Sequence, residues 1–339
     1  MQQLTYAGAN VLEWREAAVP PLDSDDAVLV SPRAVATCDL DDLIIAGASP
    51  FPPPFAIGHE CVAEIIEVGD RVSSFAPGQL VSVPFQISCG TCAACVRGRT
   101  ANCSEVPFMS TYGFGPAVGK WGGFLSDVVC VPYAEQMLVA LPTGLEPAAV
   151  ASASDNISDA WRTVAPGLAE DPGAPVLVVG GAGAGSIGLY AATLAVALGS
   201  EAVLYVDTDA GRRATASAVG AETLAEIPKR LGPFPITVDA SADVDGLGLA
   251  LRSTAPDGVC TSCAIYFSEQ PQMPLLEMYT KGITFRTGRA NARPAMPHVL
   301  DLAASGALKP ELVTTRVVPW EQAAEALLER DWTKLVIER

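Results

Sequence analysis

The sequence predicts an α/β protein: a doubly wound parallel sheet in the second half of the chain, preceded by a β-rich first domain. Three observations predict it. Short β-branched segments between Gly/Pro turns fill roughly the first 135 residues. From about residue 174 the order becomes strand, helix, strand, helix. A glycine-rich loop sits between the first strand and the first helix of that series.

In the first domain, "AVLVSPRAVATC", "CVAEIIEVGDRV" and "LVSVPF" are apolar, β-branched runs bounded by breakers, and read as strands. The second domain opens with strand "APVLVVG", helix "SIGLYAATLAVALG", strand "EAVLYVD" and helix "AGRRATASAVG"; "ITVDAS", "GVCTSCAIY" and "ITFRTG" continue the series. The tail "VTTRVVPWEQAAEALLERDWTKLVIE" reads as strand, helix, strand returning to the first domain. The expected division is 1–150, with a cysteine lobe at about 86–107, completed by 290–339, and 151–289 for the parallel sheet. Residues 176–199 carry no charge and match the ~20 residues of a membrane span. Five glycines (180, 181, 183, 185 and 188) divide that stretch into strand, loop and helix, so no span is expected.

The 339 residues are 50% hydrophobic, which supports packed cores rather than disorder. The 38 acidic against 21 basic residues give a net charge of −17. That balance disfavours nucleic acid or an anionic membrane surface as partner, since both require positive potential. The N-terminus lacks a basic segment followed by an apolar core, so no signal peptide is expected and the location expected is cytoplasmic. In a reducing compartment clustered cysteines serve as metal ligands more often than as disulfides.

Such a cluster lies in "SCGTCAACVRGRTANCSE": Cys89, Cys92, Cys95 and Cys103, spaced x2, x2, x7. Neither the bacterial nor the plant iron–sulfur spacing matches. Thiols three residues apart converge only where a loop wraps around a point. Four thiolates at about 2.3 Å close the coordination sphere of zinc and leave no position for substrate. The lobe therefore reads as a structural zinc clip.

"GAGSIG" fits G-x-G-x-x-G, with Gly183, Gly185 and Gly188 as its glycines and Ser186 and Ile187 opening the helix. Glycines let a pyrophosphate approach the backbone at a helix N-terminus. The match starts three residues after Gly180, so the loop is longer than usual. Asp207 ends the next strand, where a carboxylate accepts from ribose hydroxyls and repels a 2′-phosphate. NAD is accordingly favoured over NADP, and Arg212 is placed to flank the adenosine.

An open metal site has candidates in Cys38 of "VATCDLDD" and in His59 and Glu60 of "FAIGHECVAEI". Taken together and in order, Cys38, "GHE" at 58–60, the four-cysteine lobe and GAGSIG resemble a zinc-dependent alcohol dehydrogenase of the medium-chain dehydrogenase/reductase superfamily. The resemblance covers essentially the whole chain and implies a GroES-like catalytic domain beside a Rossmann domain. It implies Cys38 and His59 as catalytic zinc ligands, Glu60 as ligand or neighbour, and the lobe cysteines as structural-zinc ligands. A third ligand is implied in "SASDNISDAW", where one branch of the family carries Asp; here that is Asp155. Capping of the following helix is the other reading of Asp155.

The activity implied is interconversion of an alcohol with an aldehyde or ketone by a homodimer or homotetramer. The family's relay hydroxyl and histidine are replaced by Leu40 and Leu43. Two routes remain for the proton: Asp159, one helical turn beyond Asp155, or water with Glu60. Two alternatives follow. One is reduction of an imine, iminium or conjugated C=C bond, which needs no relayed hydroxyl proton. The other is a non-catalytic dinucleotide sensor. Phe51, Tyr112 and Trp121 are candidates for a substrate pocket.

Overall fold

The structure is a computed structural model describing residues 1–181, 183–267 and 270–339. The chain divides into two compact units, Met1–Ser158 with Asn291–Ala304 and Thr314–Arg339, and Asp159–Ala290 with Ser305–Val313.

Among the described residues, the first unit holds a seven-stranded sheet. Its centre is the antiparallel pair Val28–Ala36 and Glu60–Val68. Val28–Ala36 is buried along almost its whole length, because its neighbours cover both faces and leave no solvated side. Pro32, which cannot donate to a ladder, sits at a shift in register. The register sets Ala36 opposite Glu60. Cys38, two residues beyond Ala36, and His59, one before Glu60, therefore leave the sheet at the same end. The C-terminal strand Leu335–Glu338 pairs antiparallel with Val28–Ala36, Val336 opposite Ala36, and brings Lys334 to that end too.

The second unit is built on a six-stranded parallel sheet among the described residues. Its order is Glu222–Leu224, Val203–Val206, Val176–Val179, Phe234–Asp239, Thr254–Ser262, Thr284–Thr287. Chain order reverses between Val176–Val179 and Phe234–Asp239, the switch point at whose strand ends ligands bind in such sheets. The uncharged stretch that matched a membrane span is the strand Val176–Val179, a turn and the twelve-residue helix Ser186–Ala197. That helix is apolar almost all round because it is almost wholly buried. No helix among the described residues is long and apolar enough to cross a membrane.

In the first unit the cysteine lobe is tied to the body of the fold through Asn291. Its amide oxygen accepts from Thr100 Oγ1 and from Ala101 N, both at 2.9 Å, and its amide nitrogen donates to Gly98 O at 2.7 Å. Asn291→Ala removes all three. The expected loss is about 1–3 kcal/mol in urea unfolding, with faster release to a chelator of any zinc bound in the lobe. An unchanged midpoint and release rate would show that the lobe holds its position without this anchor.

Candidate metal centre and coenzyme loop

Among the described residues, two groups of side chains are arranged to hold a metal: Cys89, Cys92, Cys95 and Cys103, and Cys38, His59 and Asp155. Within each group the ligand atoms lie within 4.8 Å of one another.

The lobe wraps its four sulfurs around a point. Cys92 Sγ lies 4.0 Å from Cys103 Sγ, close to the ~3.8 Å edge of a tetrahedral zinc–thiolate site. Main-chain N–H groups point at the sulfurs. Thr91 N and Cys92 N donate to Cys89 Sγ, and Cys89 N donates to Cys103 Sγ, each at 3.4 Å. Main-chain donors at Ser104 and Cys95 hold the Cys92 thiol below its ordinary value, while burial raises the thiols of Cys95 and Cys103.

The second group is assembled from three parts of the first unit. Cys38 follows the strand Val28–Ala36, and its Sγ accepts from Leu40 N at 3.2 Å. His59 precedes the strand Glu60–Val68 and is fully buried. Gly58, just before it, has φ +93°, and an added Cβ would stand 2.8 Å from Leu125 N. Only glycine fits there. Asp155 follows the 3₁₀ turn Ala151–Ser154, which is fixed to the sheet where Cys61 N donates to Ser154 Oγ at 2.8 Å.

Both imidazole nitrogens of His59 lack a hydrogen-bond partner, although the ring has no exposure. A buried imidazole left so is costly unless something else engages it. Nε2 stands 3.5 Å from Asp155 Oδ2, too far for a hydrogen bond yet near the ~3.4 Å that separates two ligand atoms sharing one tetrahedral zinc. Burial pushes the Cys38 thiol up to about 12, and His59 pulls it the other way. Burial opposes charge on His59, but Asp41 and Cys38 outweigh it and raise its pKa. The pocket is thus organised around positive charge at its centre. Cys38, His59 and Asp155 together offer a thiol, an imidazole and a carboxylate, donor types that zinc accepts.

Two neighbours of the site escaped the sequence reading. Asp41 Oδ2 accepts from Cys38 N at 2.7 Å, while its Oδ1 lies 3.6 Å from His59 Nδ1, so one carboxylate faces both residues. In "CDLDD" it looks like one more solvated acid. Lys334, fully buried, donates to Thr37 O and to Glu60 Oε2, the latter at 3.0 Å. A lysine 274 positions from its partner leaves no local signal. Burial raises the Glu60 carboxyl, and the Lys334 ammonium pulls it back. Asp159 falls in the second unit, where Arg162 engages both of its carboxylate oxygens. Tyr112 is a core residue, its ring 4.4 Å from Phe124 and its hydroxyl donating to Cys130 O. Phe51 stacks on Phe114, which lies 4.5 Å from the His59 ring.

In the second unit, Gly183 and Gly185 have φ of +49° and +79°, and Gly185 immediately precedes the helix Ser186–Ala197. Ser186, Ile187 and Gly188 form its first turn, and a Cβ on Gly188 would press on Ala240 at 3.3 Å. Ala182 lies outside the described residues. A left-handed glycine loop opening a twelve-residue helix at the switch point fits a dinucleotide pyrophosphate. Asp207 and Arg212 sit beside it, joined as a bidentate pair at 2.7 and 2.9 Å.

Comparison with known proteins agrees. Residues 24–143 match the alcohol dehydrogenase GroES-like domain. A probable zinc-binding alcohol dehydrogenase of Mycobacterium tuberculosis is 27% identical over 333 residues, covering 96% of this chain and 84% of that protein. A glutathione-independent formaldehyde dehydrogenase of Bacillus subtilis is 33% identical over 243 residues, 66% of this chain but 58% of its own length. An alcohol dehydrogenase from Thermus sp. ATN1 superposes with a TM-score of 0.87 at 28% identity, over all of this chain and 99% of that one.

The buried Glu60–Lys334 pair generates a test. Lys334→Met strands the Glu60 charge and is expected to cost about 3–5 kcal/mol in urea unfolding of the metal-replete protein. The double variant Glu60→Gln/Lys334→Met removes both charges and should regain much of that loss. Equal losses in the single and double variants would show that the pair carries no coupling. The comparisons carry the identification: the chain is an oxidoreductase, related over its whole length to zinc-dependent alcohol dehydrogenases of the medium-chain dehydrogenase/reductase superfamily.

Proposed function

We propose that this enzyme interconverts an alcohol and an aldehyde or ketone with NAD(H), at a zinc held by Cys38, His59 and Asp155, while the lobe cysteines hold a second, structural zinc. The observation that carries the reading is a fully buried His59 with neither ring nitrogen hydrogen-bonded, within ligand-sharing distance of Cys38 and Asp155. A zinc ion supplies Lewis-acid polarisation of a substrate oxygen, and the nicotinamide supplies the hydride chemistry.

The chain's own residues do the rest. Asp41 orients Cys38 and His59. Phe85 and Phe114, both buried, pack around the His59 ring with centroids at 5.9 and 4.5 Å, and Phe51 extends this aromatic wall. Such a wall suits an apolar substrate. With Leu40 and Leu43 in the relay positions, the proton passes to water and Glu60. That route is supported by the engagement of Asp159 with Arg162. Leu275, Leu276 and Tyr279, 67–85% exposed on the helix Leu275–Lys281, adjoin the edge strand Thr284–Thr287 and support a homo-oligomer.

The test is a panel of apolar alcohols, aldehydes, ketones, imines and enals, assayed by nicotinamide absorbance on zinc-replete protein. Aldehyde- or ketone-dependent NADH oxidation is expected, falling at least about 100-fold in Asp155→Ala. Turnover confined to imines or enals, or full activity in Asp155→Ala, would contradict the reading.

A further inference from the structure

Asp207 is the acid at the end of its strand that would meet the adenosine ribose, yet its carboxylate is fully engaged within the chain. Oδ1 accepts from Asp209 N at 2.8 Å and from Arg212 Nη2 at 2.9 Å. Oδ2 accepts from Tyr205 OH at 2.8 Å and from Arg212 Nε at 2.7 Å. A carboxylate offers about four acceptor positions, and all are used. The side chain of Asp207 has no exposure, whereas that of Arg212 keeps 15%.

Arg212 is also laid against the glycine loop. A Cβ on Gly185 would stand 2.5 Å from Arg212 Cδ and 2.8 Å from Nε, so the arginine stem occupies the space that glycine leaves. Gly180 makes the same allowance for the other half of the network, its Cβ position lying 2.4 Å from Tyr205 OH and 2.7 Å from Asp207 Oδ2. With Nε and Nη2 committed to Asp207, Nη1 has no hydrogen-bond partner among the described residues. Arg213 adds a second positive charge, its Nη1 donating to Asp207 O at 2.8 Å.

Resting on the dinucleotide reading of this loop, we infer that Arg212 sets the choice of coenzyme and that the chain accepts NADP(H) alongside NAD(H). A free carboxylate selects NAD by binding the ribose hydroxyls and repelling a 2′-phosphate. Here the guanidinium neutralises that carboxylate and presents its Nη1 edge, a geometry suited to phosphate oxygens. NADP(H) gains a charge-assisted contact, while NAD(H) loses the acceptor that would distinguish it.

The experiment is direct titration of zinc-replete, full-length protein with NADH and with NADPH, followed by nicotinamide fluorescence. Wild type is expected to bind both with dissociation constants within about tenfold of each other. Arg212→Ala removes the cation and frees the carboxylate, and should weaken NADPH relative to NADH by at least about tenfold. Asp207→Asn, which keeps the arginine and removes the negative charge, should move the ratio the other way. It serves as the second variant should Arg212→Ala fold poorly. Rejection of NADPH by wild type, or a ratio unchanged in both variants, overturns the inference and leaves the coenzyme reading intact. Failure of wild type to bind either dinucleotide overturns the coenzyme reading itself.

Discussion

The first unit of this protein depends on one constraint: a buried thiol, imidazole and carboxylate brought together at the end of its sheet. Cys38, His59 and Asp155 bring their ligand atoms within 4.8 Å, yet the imidazole has no hydrogen-bond partner. Hydrophobic collapse alone would not hold them there, because unpaired buried polar atoms oppose folding. A divalent cation bound at the shared point would offset that penalty, since binding free energy at a preformed site adds to folding free energy. The sheet register that sets Ala36 opposite Glu60 is the device that brings Cys38 and His59 together.

Around this centre the charges are arranged in pairs. Asp41 faces His59 and Cys38 from one side, and Lys334 neutralises Glu60 beside His59. A buried charge pair contributes little net stability but punishes the loss of either partner. Its value here is positional, because Lys334 also donates to Thr37 O, just before Cys38. The same logic recurs at the coenzyme loop, where Arg212 and Asp207 lock each other in place.

Much of this was legible in the sequence, for reasons of local chemistry. The doubly wound sheet followed from alternating β-branched and helical segments, and the helix Ser186–Ala197 begins where GAGSIG places it. The x2, x2, x7 spacing announced that the four lobe sulfurs converge, because loop geometry follows from spacing. Cys38, His59 and Asp155 required the resemblance to a family, since a lone histidine or buried cysteine has no signature of its own. What stayed hidden were long-range and saturating contacts. Lys334 reaches Glu60 across 274 positions, Arg212 folds back onto Asp207, and Phe114 packs on His59 across more than fifty residues. No spacing rule reports whether a carboxylate's acceptor positions are already filled.

The most direct measurement is zinc K-edge X-ray absorption on the purified protein, with metal content determined on the same sample. Two zinc ions per chain are expected, sharing five sulfur ligands, four from the lobe and one from Cys38, with nitrogen and oxygen completing the second site. A single zinc with an all-sulfur shell, or a second zinc saturated by protein ligands alone, would contradict the account.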